Sequence, residues 1–517
     1  MKKLEPAAKD ASEGATMDGS VHDHTPVLTL VDPRGLPRTQ LRYLRRTQAD
    51  EPVPRRSHAA YDARGHSTAL RDARLQTPNL RIRRSISGHV VQRESVDSGH
   101  RLFLYGPSGE LIAGWDGRGS AFRMTYDNRL REVACHEKLA EGPERCVERW
   151  LYGATDTAVP NGRGRLLRQD DHAGRRAWSG YDLLGQPCEE TQRILLVMEL
   201  PDWPEDASEG ESLLGPGQFI TSERRNAVGE LSVQVDAGGH QRRHRMAVSG
   251  HLAGVTLRLA GAQTEVAVLQ GAEYDAAGNS VVEALANGVR TENTYDPATG
   301  RLRRRSVRTA DGPLLQNLSY DYDPAGHLIR QEDAAAPVRY WANRRTGGVG
   351  TYTYDSLDRL IEATGRESGS AGAGPDLPPW SPMSEDTVVP YLENYEYDDG
   401  GNLVSVRHVG AQNYTRTLIV DASSNRAQAT SEYAPLGIED AFDENGNRRV
   451  LARGQDLYWT ARDQLARAVV VRRESPGNDE ERYAYRSDGA RLRKRRSWWV
   501  GTSERTSEAL YLPGIER

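Results

Sequence analysis

The sequence predicts a mainly β fold in which short antiparallel hairpins join into one long sheet. Three observations predict it. A Tyr-Asp-x-x-Gly motif recurs along the chain, polar and apolar residues alternate beside it, and many of the 50 glycines stand at turn-like positions. The alternation is clear in residues 317–322 (NLSYDY), and a period of two is typical of a strand rather than a helix.

Copies of the Tyr-Asp motif run through most of the chain. From Tyr274 onward, successive copies are 21 residues apart at the closest (274 to 295) and 45 at the widest (397 to 442), and the shortest interval fits one hairpin. Copies begin at Tyr61, Tyr181, Tyr274, Tyr295, Tyr322, Tyr354 and Tyr397, with degenerate copies at Phe442, Tyr485 and Asp236. The residues predicted to shape the repeat are Tyr181, Asp182, Gly185, Tyr274, Asp275, Gly278, Tyr295, Asp296, Gly300, Tyr322, Asp323, Gly326, Tyr354, Asp355, Tyr397, Asp398, Gly401, Asp443 and Gly446.

Each residue type of the motif has a physical task. The tyrosine is expected to end a strand and to pack its ring on the neighbouring strand. The aspartate accepts hydrogen bonds from backbone N–H groups ahead of it and starts a turn. The glycine supplies the positive φ that a tight hairpin turn often needs. Because one hairpin cannot bury its own face, we expect neighbouring hairpins to stack into a continuous sheet that spirals or curves.

The composition suits such a sheet better than a disordered chain. Hydrophobic residues make up only 37% and charged residues 27%, but the net charge is only −5, and disorder usually needs a high net charge. Twenty-two tyrosines and nine tryptophans accompany four phenylalanines. Aromatic rings with a polar group suit surfaces that are partly buried and partly wet. We therefore expect a folded protein with much wetted sheet surface.

Changes in composition predict the organisation of the chain. Residues 1–24 are predicted to be a disordered lead and residues 25–517 to form the repeat region, with surface loops near 201–217 and 365–390. No apolar stretch approaches the roughly 20 residues of a membrane span. The N-terminus lacks the apolar core of a signal peptide, and three cysteines without metal-like spacing suggest synthesis in a reducing cytoplasm.

Three histidine or acidic clusters have the composition of metal or catalytic sites, but a structural interpretation is favoured for each. His240, His244 and His251 lack the glutamate of a zinc-protease motif and lie among arginines. His22-Asp23-His24 falls in the predicted lead, and Asp170-Asp171-His172 has no identifiable partner. The sequence therefore predicts no catalytic residue, no metal site and no cofactor.

Basic and glycine-rich runs likewise favour a structural interpretation. Residues 161–165 (NGRGR) lack the phosphate-binding fingerprint and predict a hairpin turn. The basic runs 301–305 and 491–496 are balanced by acidic residues, and alternation would divide their charges between both sheet faces. Trp498 and Trp499 are interpreted as a packing or partner-contact pair. No nucleic-acid partner is predicted.

Several longer stretches resemble one known family. Residues 26–51, 93–99, 351–357, 363–367 and 511–516, together with Asn287-Gly288-Val289, are similar in order to landmarks of the C subunit of bacterial insecticidal toxin complexes (Tc toxins, TccC-type), a member of the RHS/YD-repeat class. The resemblance implies a β-sheet spiral forming part of a hollow shell, or cocoon. In that family a B-type subunit completes the shell, which encloses a cytotoxic polypeptide, and a pentameric A-type subunit delivers the toxin through a membrane channel.

The resemblance also sets expectations about chemistry and location. The chain is expected to be made without a classical signal peptide, to be released as part of a toxin complex and not to insert into a membrane itself. The family's aspartic self-cleavage region and toxin have no counterpart before Arg517, so we expect a truncated chain, or one completed by another chain, that is not an enzyme. The alternative is a surface YD-repeat protein that binds carbohydrate or mediates cell contact.

Overall fold

The computed structural model describes residues 19–310, 312–341, 344–369, 388–430, 436–452, 454–475 and 477–517. Within these ranges the chain is nearly all antiparallel β-sheet and contains no α-helix, which confirms the predicted mainly β class. Two short 3-10 helical turns, Gly19–His22 and Glu209–Leu213, complete the regular structure. No helix among the described residues has the length and apolar character needed to cross a membrane. The predicted lead falls mostly on residues 1–18, which lie outside these ranges.

The strands are β1 (Leu28–Val31), β2 (Pro37–Leu44), β3 (Val53–Tyr61), β4 (Ser67–Arg71), β5 (Leu80–Arg84), β6 (Val90–Ser95), β7 (Gly99–Tyr105), β8 (Leu111–Asp116), β9 (Ala121–Tyr126), β10 (Glu132–Lys138), β11 (Arg145–Tyr152), β12 (Leu166–Asp170), β13 (Gly174–Tyr181), β14 (Pro187–Ile194), β15 (Phe219–Arg225), β16 (Leu231–Val235), β17 (Gln241–Met246), β18 (Leu252–Arg258), β19 (Val266–Tyr274), β20 (Ser280–Leu285), β21 (Arg290–Tyr295), β22 (Leu302–Arg308), β23 (Leu314–Tyr322), β24 (Leu328–Asp333), β25 (Arg339–Trp341), β26 (Arg344–Thr346), β27 (Val349–Tyr354), β28 (Leu360–Ser368), β29 (Val388–Tyr397), β30 (Leu403–Val409), β31 (Asn413–Val420), β32 (Ala427–Ala429), β33 (Leu457–Trp459), β34 (Leu465–Val471), β35 (Asp479–Tyr485), β36 (Arg491–Val500), β37 (Ser503–Leu512) and β38 (Ile515–Glu516).

Strand pairing follows chain order. Each strand from β1 to β24 pairs antiparallel with the next, β24 pairs with β27 past the small β25–β26 hairpin, and the series continues to β32, which gives a sheet of 30 strands. Strands β33 to β38 form a second sheet of six strands in the same way. The first sheet is therefore a long meander of hairpins.

The hairpins carry a regular bulge that curves this meander. Tyr274 pairs with Ser280 while Glu273 pairs with Val282, so one extra residue is accommodated beside the tyrosine. The same shift occurs beside other tyrosines of the repeat, namely Tyr295, Tyr322, Tyr354 and Tyr397. Bulges of this kind bend a strand and increase its right-handed twist, so their repetition explains a sheet that curves.

The hydrophobic core is small and divided. One buried cluster joins Trp203 and Leu214 to strands β10 and β11, and a second joins Ala173 to Leu492, Leu510 and Leu512 of the second sheet. Many large apolar side chains elsewhere remain exposed. The second cluster shows that the second sheet packs against the first, although more than 300 residues separate Ala173 from Leu492 in the chain.

The segment 201–217, which we predicted to be a surface loop, packs against the first sheet. Trp203 is only 1% exposed. Its indole Nε1 donates to the Asp171 carbonyl at 3.1 Å, and its backbone N–H donates to the Cys146 carbonyl at 2.7 Å. This segment thus supplies part of the core. Most of the second predicted loop, residues 370–387, lies outside the described residues.

Candidate functional site

The turn after Tyr274 shows how the repeat motif works. The backbone N–H of Asp275 donates to the Asn279 carbonyl at 3.0 Å, and the Gly278 N–H donates to the Asp275 carbonyl at 3.0 Å. Oδ1 of Asp275 accepts from the N–H groups of Ala277 and Asn279, both at 2.9 Å. Gly278 has a φ of +85°. The Asn279 side-chain and backbone hydrogen bonds lower the pKa of Asp275, so this carboxylate is committed to the turn.

The other predicted aspartates lie in turns of the same kind. In each of these turns the aspartate Oδ1 accepts from the N–H four residues ahead, as in Asp182, Asp323, Asp355, Asp398 and Asp443. Asp296, whose turn is one residue longer, accepts from Ala298 and Thr299 instead. At Tyr485 the turn lacks the aspartate, and the Arg486 and Gly489 N–H groups close it through backbone bonds.

Where a hairpin has the tyrosine, its hydroxyl connects that hairpin to the preceding one in nine cases. Tyr274 Oη donates to the Leu252 carbonyl at 2.9 Å, and Leu252 is the first residue of the strand that follows the preceding turn. Equivalent bonds run from Tyr61 to Pro37, Tyr126 to Leu111, Tyr181 to Leu166, Tyr295 to Ser280, Tyr322 to Leu302, Tyr354 to Leu328, Tyr397 to Leu360 and Tyr485 to Leu465.

A cationic or histidine side chain stacks on many of these tyrosines. It comes from the residue directly after the positive-φ position of the preceding turn. The Arg359 guanidinium lies 4.7 Å from the centre of the Tyr397 ring, and the His327 ring stacks on Tyr354 at 4.7 Å. The same contact joins Arg131 to Tyr152, Arg165 to Tyr181, Arg301 to Tyr322, His89 to Tyr105 and His251 to Tyr274. The repeat is thus linked from turn to turn by polar contacts rather than by a deep core.

Among the turns of this kind that were not predicted from the sequence, two have no glycine at the positive-φ position. Residues 127–131 and 460–464 form them, with Leu130 at a φ of 58° and Asp463 at 59° in place of the usual glycine. In the second turn the Thr460 hydroxyl takes the acceptor role of the aspartate. The signal that remains in the sequence is an aromatic residue, Tyr126 or Trp459, followed five positions later by Arg131 or Gln464.

The turns of the later repeats contact strands of the first 250 residues, and we call this set of contacts the seam. Its first contact joins Ser356 to the end of β2. Ser356 Oγ accepts from the Arg45 N–H and donates to the Tyr43 carbonyl, both at 2.7 Å. The Ser356 N–H in turn donates to the Arg45 carbonyl at 3.0 Å. Asp355, beside Ser356, is fully buried.

Further along the seam, the backbone at two glycines lies directly against the backbone of the opposite segment. A Cβ on Gly446 would lie 2.1 Å from the Asp97 carbonyl oxygen, and a Cβ on Gly99 would lie 2.1 Å from the Glu444 carbonyl oxygen. Asn445, the residue before Gly446, donates from its side-chain Nδ2 to Asp116 Oδ2 at 2.7 Å. Glycine is therefore needed at both positions for close approach as well as for the turn.

A buried charge cluster occupies the middle of the seam. Arg462 donates from Nε to Glu137 and from Nη1 to Glu148, both at 2.6 Å. His172 Nε2 lies 3.2 Å from Glu137, whereas His172 Nδ1 lies 3.8 Å from Glu148. Both carboxylates are at most 3% exposed. A buried pair of this type is stable only while every charge keeps its partner.

The two carboxylates of the cluster differ in acidity. Burial acts to raise the pKa of Glu137, but the hydrogen bonds and charges of His172 and Arg462 outweigh it and lower this pKa to about 2. Burial raises the pKa of Glu148, although Arg462 opposes this. The difference follows from geometry, because His172 is within hydrogen-bond distance of Glu137 alone.

The seam continues into the second sheet. The Ser487 N–H donates to Asp171 Oδ2 at 3.1 Å, and Gln169 Nε2 donates to Ser487 Oγ at 2.6 Å. Sequence separations across the seam range from 362 residues (Arg101 to Asp463) to 272 residues (Arg242 to Gly514). The sheet therefore returns to its own earlier strands after about that length of chain.

A concavity of about 840 Å³ opens beside the charge cluster. Trp115, Trp150 and Trp178 of the first sheet line it, together with Arg462 and Ser487 from the returning segment. It combines large aromatic faces with charged groups. Both parts of the chain therefore form its walls.

The other acidic, histidine and glycine-rich groups singled out in the sequence make structural contacts. Asp171 accepts from the Ala173 and Gly174 N–H groups, and burial raises its pKa. The three histidines of residues 240–251 are not gathered together among the described residues. His240 Nδ1 accepts from the Ala260 N–H at 3.0 Å, and His251 stacks on Tyr274 at 4.5 Å. In the turn at residues 161–165, the Asn161 side-chain Nδ2 donates to the Tyr181 carbonyl at 2.9 Å.

Comparison with known sequences identifies two toxin relatives. No protein-family model matches the chain. Toxin subunit YenC1 of Yersinia entomophaga is 30% identical over 526 residues, which cover 97% of this chain and 54% of YenC1. Toxin subunit YenC2 of the same organism is 31% identical over 541 residues, which cover 97% of this chain and 56% of YenC2. The chain thus spans about half the length of these relatives.

Solved structures agree with this relationship. The crystal structure of TcdB2-TccC3 matches with a TM-score of 0.90 and 30% identity, over 96% of this chain and 25% of that one. The Photorhabdus luminescens Tc holotoxin pore matches with a TM-score of 0.92 and 30% identity, over 98% of this chain and 24% of that one. By sequence and by fold, the chain is therefore a C-subunit-like protein of the Tc toxin RHS/YD-repeat family.

Proposed function

We propose that this chain is a structural shell component of an insecticidal toxin complex. The observation that carries the proposal is the seam, because it turns a 30-stranded meander into a sheet that winds back on its own earlier strands. Such a wall can surround a space without a deep hydrophobic core. The toxin-subunit relatives and the Tc structures support the same role. Release as part of a toxin complex, with an A-type pentamer as the delivering subunit, belongs to this proposal.

The partner that we propose is a B-type subunit, which would continue the sheet from strand β1. Strand β1 pairs with β2 along one edge, and Leu28, Leu30 and Val31 are each more than two-fifths exposed. An exposed apolar edge strand is a ready template for pairing with another chain. The related solved structure contains a TcdB2 partner alongside TccC3.

The enclosed ligand that we propose is a cytotoxic polypeptide, and the concavity is a suitable contact for it. An unfolded segment presents apolar side chains, backbone amides and charges together. The tryptophans of the concavity offer apolar faces, and Arg462 and Asp488 offer charge. This mixed lining suits a polypeptide of varied sequence better than one small molecule.

We also propose that the chain itself is not an enzyme. Self-cleavage by carboxylates requires a close pair with separated pKa values. The repeat aspartates instead accept turn hydrogen bonds, which lower the pKa of Asp275 and Asp323 even though burial opposes this at Asp323. The purified chain should keep its full mass during incubation from mildly acidic to neutral pH. A discrete product that Asp443→Asn or Asp488→Asn abolishes would contradict this.

Co-expression with a B-type subunit tests the shell role. We expect the chain to be poorly soluble alone and to co-purify as a stable complex with that partner. Leu30→Lys should weaken the complex by placing a charge on the pairing edge, whereas Val248→Lys, at a fully exposed turn, should not. Equal solubility with and without the partner, without co-purification, would favour the alternative of a cell-surface binding protein, which glycan-binding assays would then address.

A further inference from the structure

Three side chains from distant parts of the chain meet at the beginning of the seam. One imidazole nitrogen each from His22 and His327 and one carboxylate oxygen of Asp358 all lie within 4.8 Å of one another. His22 lies in the 3-10 turn before β1, whereas His327 and Asp358 lie in the turns after β23 and β27. Nothing in the sequence places these three residues together.

The backbone around His22 is held in place. Thr25 donates to the His22 carbonyl from Oγ1 at 2.7 Å, and Arg45 donates from Nη1 to the Asp23 carbonyl at 2.6 Å. The His22 ring stacks on His327 with 6.3 Å between centroids and 15° between planes. Its Nε2 is buried and has no hydrogen-bond partner. A buried polar atom without a partner is costly unless an ion or water satisfies it.

His327 is oriented for coordination. Its Nδ1 lies 2.8 Å from Asp323 Oδ2, and a carboxylate in this position fixes the proton on Nδ1 and leaves the Nε2 lone pair free. Nε2 then faces Asp358 Oδ1 at 3.5 Å. The Tyr354 ring stacks on the His327 ring with 4.7 Å between centroids. The arrangement matches a carboxylate–histidine pair behind a metal ion.

Asp358 completes the set from the solvent side. Its Oδ2 is paired with Arg42 at 3.0 Å, which leaves Oδ1 directed at His327. The side chain is 49% exposed, so an ion can enter from solvent and the carboxylate is free to move inward. Zinc ligands lie about 2.0–2.2 Å from the metal, so binding would draw these three groups closer together.

We propose that His22, His327 and Asp358 bind one divalent transition-metal ion, zinc by the chemistry of its ligands, and that the ion ties the N-terminal turn to the seam. Two imidazoles and one carboxylate are a zinc-type set with room for a water molecule. The sequence pattern His22-Asp23-His24 alone gave no reason for a metal site, because the other ligands lie more than 300 residues away. The metal site stands independently of partner binding, since it needs this chain alone.

Metal titration of the full chain tests the proposal. The chain is purified through a tag without histidines, alone or with a partner that keeps it soluble, then treated with a chelator and dialysed. Zn²⁺ is titrated by calorimetry, and Co²⁺ by visible absorption. We expect one ion per chain and a higher melting temperature with zinc. Asp323→Asn should weaken binding about 10–100-fold by releasing His327.

Matched variants locate the site. His22→Gln and Asp358→Asn should each abolish stoichiometric binding, and asparagine tolerates the positive φ of residue 358. His251→Gln is the control, because His251 follows a turn glycine and stacks on a tyrosine as His327 does. Its loss should leave binding unchanged. The proposal would be overturned by an absence of binding, by binding that survives both ligand variants, or by binding that weakens equally in the control.

Discussion

Asp358 and Asp463 occupy equivalent positions in two turns, with φ of 68° and 59°, where most repeats carry a glycine. Aspartate tolerates this left-handed conformation better than most side chains. Both carboxylates contact arginines from much earlier in the chain. Asp358 pairs with Arg42 of β2 at 3.0 Å, and Asp463 pairs with Arg118, in the turn after β8, at 3.0 Å. In each of these two turns, the aspartate that replaces glycine therefore makes a contact of the seam.

Asp463→Gly is expected to relax the turn and yet destabilise the protein. The change removes the acceptor of Arg101, Arg118 and Asn447, and hydrogen bonds to charged groups contribute about 1.5–3 kcal/mol each. Leu130→Gly is the matched control, because Leu130 has a similar φ of 58° and is half exposed. It should be neutral or stabilising by up to about 1 kcal/mol. Urea unfolding in which both variants change stability in the same direction would contradict this account.

Arg462→Met should open the middle of the seam. It leaves Glu137 and Glu148 buried without their cation, and breaking a buried pair costs about 3–5 kcal/mol. Arg472→Gln removes an arginine that is 61% exposed and paired with Asp456, so its cost should stay below about 1 kcal/mol. Limited proteolysis and thermal unfolding would compare the two. Equal effects would mean that the cluster does not hold the seam.

Acid should weaken the seam in a defined range. The pKa of Glu137 is lower in the folded chain than its ordinary value of 4.5, at about 2. Its contribution to stability is therefore complete above pH 4.5 and is lost as the pH falls toward 2. Glu148, whose pKa is raised, acts in the opposite direction and should offset part of the loss. Urea midpoints should fall as the pH drops from about 4.5 to 3, and Glu137→Gln should flatten this part of the profile. An unchanged slope in that variant would exclude Glu137 as the sensor.

Comparison of Gly446→Ala with Gly401→Ala should distinguish the backbone strain of the turn from the clash at the seam. Gly446 and Gly401 have φ of +85° and +89°, so alanine is strained at both. A Cβ at 446 would also meet the Asp97 carbonyl at 2.1 Å, whereas nothing lies within 4 Å of a Cβ at 401. We expect Gly446→Ala to destabilise clearly more than Gly401→Ala, by calorimetry. Similar losses of stability would indicate that the backbone at residue 97 moves away to make room for the Cβ at residue 446.

Local features of the fold could be predicted from the sequence, because their chemistry is local. The Asp275 carboxylate bonds N–H groups within four residues, and Gly278 adopts its φ in the same turn. The turn at residues 127–131 was missed because Leu130 replaces the expected glycine. Composition also made residues 201–217 look like a loop exposed to solvent, although the buried Trp203 anchors them.

The seam could not be predicted from the sequence. Arg462 lies 325 residues from Glu137. Nothing in the local sequence around one arginine among many identifies its distant partner. The phase of the winding depends on the summed twist and bulges of some 300 residues, which no short pattern encodes. The same reasoning explains why His22 was not connected with His327 and Asp358.

Electron cryomicroscopy of this chain co-expressed with a B-type subunit tests the shell role and the closed seam most directly. We expect a closed wall in which strand β1 pairs with a strand of the partner. In this wall Ser356 lies against Arg45, and Arg462 lies against Glu137 and Glu148. A chain that shows no complex, or one whose later turns lie away from β2 and β10, would contradict this expectation.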